Sequence, residues 1–151
     1  MEKEIKYPIL AIDYGDKHFG LAISDIKGIL AQPLQTLSIT KNKKVDDIIT
    51  EILEIANEYR SKTILVGLPQ EFIPTHQKTT EKINKFISLL SKVTDIPIIT
   101  YDESFSTTRA QNMLTSSGQN TKKTKGKINS IAATVFLQDF LNSKKYLDEK
   151  R

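Results

Sequence analysis

The apolar residues of this chain change period part-way along, and that change constrains the fold more than any single residue does. Up to about residue 39 they come in short runs cut by turn residues; from residue 45 onward, helical spacing alternates with compact apolar runs. A two-residue period lays a strand on one face of a sheet, whereas a 3.6-residue period lays a helix on one side. Pro8 to Asp13 (PILAID) and His18 to Ser24 (HFGLAIS) read as strands joined by the hairpin-type turn Tyr14-Gly15-Asp16-Lys17. A second turn, Asp25-Ile26-Lys27-Gly28, leads into a weaker extended segment from Ile29 to Ile39, where Pro33 suits an edge strand.

Beyond it, Val45, Ile48, Ile49, Ile52, Leu53, Ala56 and Tyr59 recur at helical spacing. Thr63 to Gly67 (TILVG) is a buried-type strand, Ile83 to Val93 marks a second helix, and Pro97 to Tyr101 (PIITY) a further strand. Ala110, Met113 and Leu114 mark a short helix that Ser106 or Thr107 could cap, and Ile128 to Leu141 the last helix. A three-strand meander followed by strands alternating with helices implies an α/β fold: a five-stranded mixed sheet with helices on both faces. The first, fourth and fifth strands are then parallel neighbours, and the carboxyl ends of parallel strands form the natural crevice for a ligand.

The chain has 151 residues, one domain's worth (1–151), and its 38% hydrophobic content can make a core without metal or disulfide staples. With no cysteine, thiol nucleophiles, zinc-thiolate sites and iron–sulfur clusters are excluded. No apolar run approaches the roughly 18 residues of a membrane span, and the charged start MEKEIKYP has no apolar signal core. The expectation is a cytoplasmic protein without a membrane partner. The net charge is only +4, but from Ser104 to Gln138 there are five basic side chains (Arg109, Lys122, Lys123, Lys125, Lys127) and no acidic one. Such a stretch suits a polyanion, although a lysine-rich loop also simply keeps a surface wet.

Asp13 ends the first strand on the face shared with Ile9 and Ala11, an acid closing an apolar row. A buried carboxylate needs a cation, hydrogen bonds or water; alternatively Asp13 only opens the turn. Tyr101-Asp102-Glu103 follows the fifth strand, so two central strands bring acids to one crevice from distant parts of the chain. Carboxylates of this kind hold hard divalent cations such as magnesium, which can activate a water against a phosphodiester. Acids at the centre and lysines at the rim suit a nuclease. His18 and His76 have no metal-ligand spacing to each other and read as ordinary exposed or capping residues. No phosphate-cradling loop and no Gly-x-Ser-x-Gly pattern occurs.

Four segments, ILAIDYGDKHFGLAISD (Ile9 to Asp25), VGLP (Val66 to Pro69), YDESFST (Tyr101 to Thr107) and KKTKGKINSIAATVFLQDFL (Lys122 to Leu141), resemble the YqgF family, also called RuvX or Holliday junction resolvase-like. The resemblance spans nearly the whole chain. It implies a ribonuclease H-like fold and a nuclease dependent on Mg2+ or Mn2+ that trims the precursor of small-subunit ribosomal RNA. RNA is then the preferred partner, structured DNA the alternative, with the ribosome a further candidate; the oligomeric state is left open. By the same resemblance Asp13 and Glu103 are catalytic metal ligands, and Asn129 stands where the family has its third acid. Thr107, Lys123 and their basic neighbours Lys17, Arg109, Lys122, Lys125 and Lys127 are the expected nucleic-acid contacts.

The chain departs from that pattern in ways that bear on chemistry. Asn129 keeps a carbonyl acceptor but loses a full charge, and asparagine before a helix is also a good N-cap. Ser104 and His18 stand where the family has arginine, and Gln70 to Gln77 lacks a glycine-rich segment. An RNase H-like protein that binds RNA or the ribosome but cleaves weakly is therefore the alternative to the nuclease, with Holliday junction cleavage a variant of the latter. An actin-like phosphotransferase also opens with an Asp-x-Gly hairpin, but needs two lobes that about 150 residues do not supply.

Overall fold

In the computed structural model, which describes residues 4–68, 77–102 and 130–143, the first two near-continuous apolar runs are realised as β1 (Ile9–Asp13) and β2 (His18–Ser24), buried on both faces. They pair antiparallel through Tyr14–Lys17, with Asp13 opposite Gly20. At the next turn, Asp25 Oδ1 accepts the N–H groups of Ile29 (2.7 Å) and Leu30 (3.3 Å). Gly28 lies there at φ +70°, and any β-carbon would come within 2.6 Å of the Tyr7 ring, so both backbone and space demand glycine. β3 (Ala31–Ser38) returns antiparallel on β2, shorter at both ends than its apolar pattern suggests, and carries Pro33 as the expected edge strand. The register slips by one residue between Gly20 and Ala22, so β3 is bulged.

The helical period produces α1 (Val45–Glu58), with Asp46 and Asp47 in its first turn, where acids complement the helix dipole. The Asp47 carboxylate accepts the Lys44 N–H at 2.8 Å. α1 stops in a two-bond C-terminal cap: Arg60 N–H to the Asn57 carbonyl (3.1 Å) and Ser61 N–H to the Ala56 carbonyl (2.8 Å), with Arg60 left-handed at φ 55°. β4 (Thr63–Leu68), α2 (Gln77–Val93) and β5 (Ile98–Asp102) follow. α2 begins well before its first apolar marker, Ile83, because Gln, Lys and Glu are good helix formers without apolar period. The last helix, α3, covers 130–143. The proposed short helix around Ala110 to Leu114 lies outside the described residues.

The strand order is β3-β2-β1-β4-β5, antiparallel across β1–β3 and parallel across β1, β4 and β5, as the sequence pattern implies. Leu10, Ile12, Phe19, Leu21, Ile64 and Val66 point to the face covered by α1 and α2, meeting Ile48, Ile52, Ile83, Phe86 and Leu90. Ile9, Ala11, Ala22 and Leu65 point to the other face and meet Ala133, Phe136, Leu137 and Leu141 of α3. Helices thus cover both faces. Gln138 of α3 also clasps the start of β3, accepting from Ala31 N–H and donating to the Ile29 carbonyl, each at 2.9 Å.

Candidate active site

Parity decides where Asp13 points. Ile9 and Ala11 face α3, so Asp13, the next odd residue of β1, belongs to that face, and it is only 6% exposed. Asp13 is held by interactions with its surroundings. Burying such a charge costs several kcal/mol unless hydrogen bonds or a cation compensate, so this position is expensive for a residue that merely starts a turn. The next residue, Tyr14, turns to the opposite face, where its ring meets Phe19 edge-on (5.2 Å) and Phe86 (5.4 Å). That wedge fixes the strand end from which Asp13 projects. Burial, then the charge of Asp16, raises the Tyr14 pKa above its ordinary value near 10, while Lys82 lowers it. Lys82 and Asp16 form an exposed ion pair at 3.2 Å.

The neighbours of Asp13 across the sheet are glycines. Gly20 is its partner on β2, and on β4 the parallel register Ile12 to Val66, continued by one residue, reaches Gly67. Both lie at the Asp13 end of the sheet, and neither sets a side chain beside the carboxylate. Glycine within a strand often marks such a close approach. Gly67 pairs with Tyr101 of β5, whose ring stacks on Phe136 (6.1 Å) and meets Phe140 edge-on (5.9 Å), anchoring β5 to α3. β1 and β5 thus run parallel, separated only by β4, and Tyr101 lies level with Asp13 about 9 to 10 Å away in two strand spacings. β5 ends at Asp102, one residue before Glu103.

Of the residues expected to carry the site, Asp13 and Lys17 are described. Lys17 is exposed in the β1–β2 turn, and its carbonyl accepts the Ile39 N–H at 2.8 Å. Glu103, Thr107, Arg109, Lys122, Lys123, Lys125, Lys127 and Asn129 lie outside the described residues, as do Ser104 and His76. Among the described residues no three His, Cys, Asp or Glu side chains gather into a metal-holding cluster. Asp13 fits one oxygen ligand of a hard divalent cation: an acid at a strand terminus with glycines on either side. The flanking glycines were not legible as site residues, because only the strand register shows that HFG and VGL meet at Asp13. The same holds for His18 on the Asp13 face, whose Nδ1 lies 2.7 Å from Ser38 Oγ.

A family model described as RuvX, Holliday junction resolvase, matches residues 7–143. The chain belongs to the RuvX family. Among its relatives are two proteins named "Putative pre-16S rRNA nuclease". The one from Thermoanaerobacter pseudethanolicus is 38% identical over 138 residues, 91% of this chain and 97% of that protein. The one from Acetivibrio thermocellus is 39% identical over 137 residues, 90% and 96% respectively. Solved structures agree on the fold at low identity. RuvC of T. thermophilus bound to a Holliday junction substrate superposes with a TM-score of 0.58 at 13% identity, covering 91% of this chain and 94% of RuvC. The Fowlpox virus resolvase in complex with Holliday junction DNA gives 0.53 at 14%, covering 91% and 98%. The RuvX chain therefore has the ribonuclease H-like architecture that its motifs imply. No helix among the described residues is long and apolar enough to cross a membrane.

Proposed function

We propose that this RuvX chain is a hydrolase of nucleic-acid phosphodiester bonds that depends on Mg2+ or Mn2+ and acts in the cytoplasm on the 5′ end of pre-16S ribosomal RNA during ribosome biogenesis. The observation that carries the reading is Asp13, a buried acid at the carboxyl end of β1, level with the end of β5 and within the span that matches the family. Asp13 and Glu103 hold the ion, with Asn129 as a weaker third ligand. Ile99 and Tyr101 pack toward α3, and the next odd position in the sequence is Glu103. In sequence Asn129 is next to Ser130, the first described residue of α3, the helix that covers the Asp13 face. When bound, the ion supplies activation of the attacking water and offsets charge on the leaving oxygen.

The chain's own residues do the rest. Tyr14, packed against Phe19 and Phe86, keeps Asp13 in place. Lys17, Thr107, Arg109, Lys122, Lys123, Lys125 and Lys127 hold the nucleic-acid backbone, which makes binding fall steeply with salt. One observation favours a second reading, an RNA- or ribosome-binding protein with impaired cleavage: Asn129 lacks the charge of the family's third acid. Incubation of the purified protein with precursor RNA and Mg2+ or Mn2+, beside Asp13→Ala, tests the nuclease. Cleavage that depends on Asp13 supports it; equal cleavage by both proteins eliminates this site.

A further inference from the structure

We propose that His18, its ring held by Ser38, is a substrate-binding residue on the rim of the Asp13 crevice and donates a ring N–H to a phosphate oxygen of the nucleic-acid backbone. The inference rests on the reading of Asp13 as the centre of a nucleic-acid site. Phe19, Leu21 and Ile23 of β2 pack toward α1 and α2, whereas Ala22 packs toward α3. His18 shares the parity of Ala22 and Gly20, so it lies on the Asp13 face. Gly20 is the direct partner of Asp13, and His18 is two residues further along the same row, about 7 Å beyond. His18 is exposed, at the end of the sheet where β1 and β4 reach their carboxyl ends.

The ring is oriented as well as exposed. Ser38 is the direct cross-strand partner of His18, and its Oγ lies 2.7 Å from Nδ1. With the Ser38 hydroxyl donating to Nδ1, the ring proton sits on Nε2, whose N–H a phosphate oxygen can accept. Ser38 thereby acts as a positioning residue. Lys17, adjacent in sequence and exposed in the same turn, adds a cation beside that donor.

The test is binding of a fluorescein-labelled RNA hairpin with a single-stranded 5′ extension, followed by anisotropy without divalent metal across a salt series. His18→Ala binds about tenfold more weakly, the worth of one hydrogen bond to a charged phosphate. His18→Arg restores affinity and steepens the dependence of log K on log salt by about 0.7, because its guanidinium displaces one more counterion from single-stranded RNA. Ser38→Ala loses about two- to threefold, Ser38→Thr loses nothing, and Ser38→Ala has no effect once His18 is alanine. Lys92→Ala, on the α2 side, serves as the unaffected control. Wild-type affinity in His18→Ala, an unchanged salt slope in His18→Arg, or additive losses for the two alanines each overturn the inference. Cleavage of the same RNA with Mg2+ separates the two readings. A wild-type protein that does not cleave but shows these binding effects fails as a nuclease and keeps His18; one that cleaves with an unchanged KM in His18→Ala does the reverse.

Discussion

The two faces of the sheet are built for different ends. Toward α1 and α2 the strands present large side chains, Leu10, Ile12, Phe19, Leu21, Ile64 and Val66, which interlock with Ile52, Phe86 and Leu90 in one continuous core. Toward α3 they present Ile9 and Leu65 against Phe136, Leu137 and Leu141, but the residues nearest the buried Asp13 are small, Ala11, Ala22, Gly20 and Gly67, and α3 adds Ala133. Small residues keep side chains away from the carboxylate, at the cost of apolar area. Stability therefore resides mainly on the first face and chemistry on the second, so substitutions on the two sides should be separable.

Asp13→Ala should give the largest effect and the sharpest contrast. If Asp13 holds the proposed ion, its loss should reduce Mg2+- or Mn2+-dependent cleavage by about a thousandfold, roughly 4 kcal/mol on the barrier. The thermal midpoint should change far less, because relief of a buried charge opposes the loss of the contacts Asp13 makes. A matching drop in thermal midpoint would show that the acid supports the fold rather than the reaction. Ile52→Ala is the reverse case: truncating a fully buried side chain of α1 on the other face, outside the Tyr14 ring contacts, should cost about 3 kcal/mol in urea unfolding. Cleavage per folded molecule should stay near wild type; a comparable loss of specific activity would break the separation of the faces.

How much of this was legible in the sequence follows from how far each signal reaches. β1, β2, β4, β5 and α1 were legible because their periods are local, and Pro33 marked β3 as an edge strand. The first turns of α2 were not, since Gln77 to Lys82 carry no apolar repeat and are helical by propensity and by continuity with Ile83 and Phe86. Asp13 was visible as an acid closing an apolar row. The glycines beside it, and the pairing of His18 with Ser38 twenty residues away, exist only in strand register, which neither composition nor spacing encodes.

Asn129→Asp sharpens the comparison on the α3 side by a smaller amount. If Asn129 is the proposed third ligand, restoring a full charge there should tighten Mn2+ or Mg2+ binding about tenfold by calorimetry and raise cleavage in proportion, the Coulomb gain being reduced by desolvation. An unchanged metal affinity would identify Asn129 as a helix cap and the natural donor set as already sufficient.

The smallest effect concerns Tyr14, the residue that joins the two faces. Burial raises its pKa, and the charge of Asp16 adds to the rise against the opposing Lys82. The folded state thus holds the phenolic proton more tightly than the unfolded chain does. That contribution is complete below the unfolded value near 10 and is lost as pH rises through the higher folded value. Tyr14→Phe keeps the ring contacts with Phe19 and Phe86 but removes the titration, so the two proteins should differ little near neutrality, and the variant should lose less stability above pH 10. Urea unfolding of both across neutral and alkaline pH measures the difference. If the phenylalanine variant declined just as steeply, the Tyr14 hydroxyl would not be a proton-linked contact, and its role in holding Asp13 would reduce to the packing of its ring.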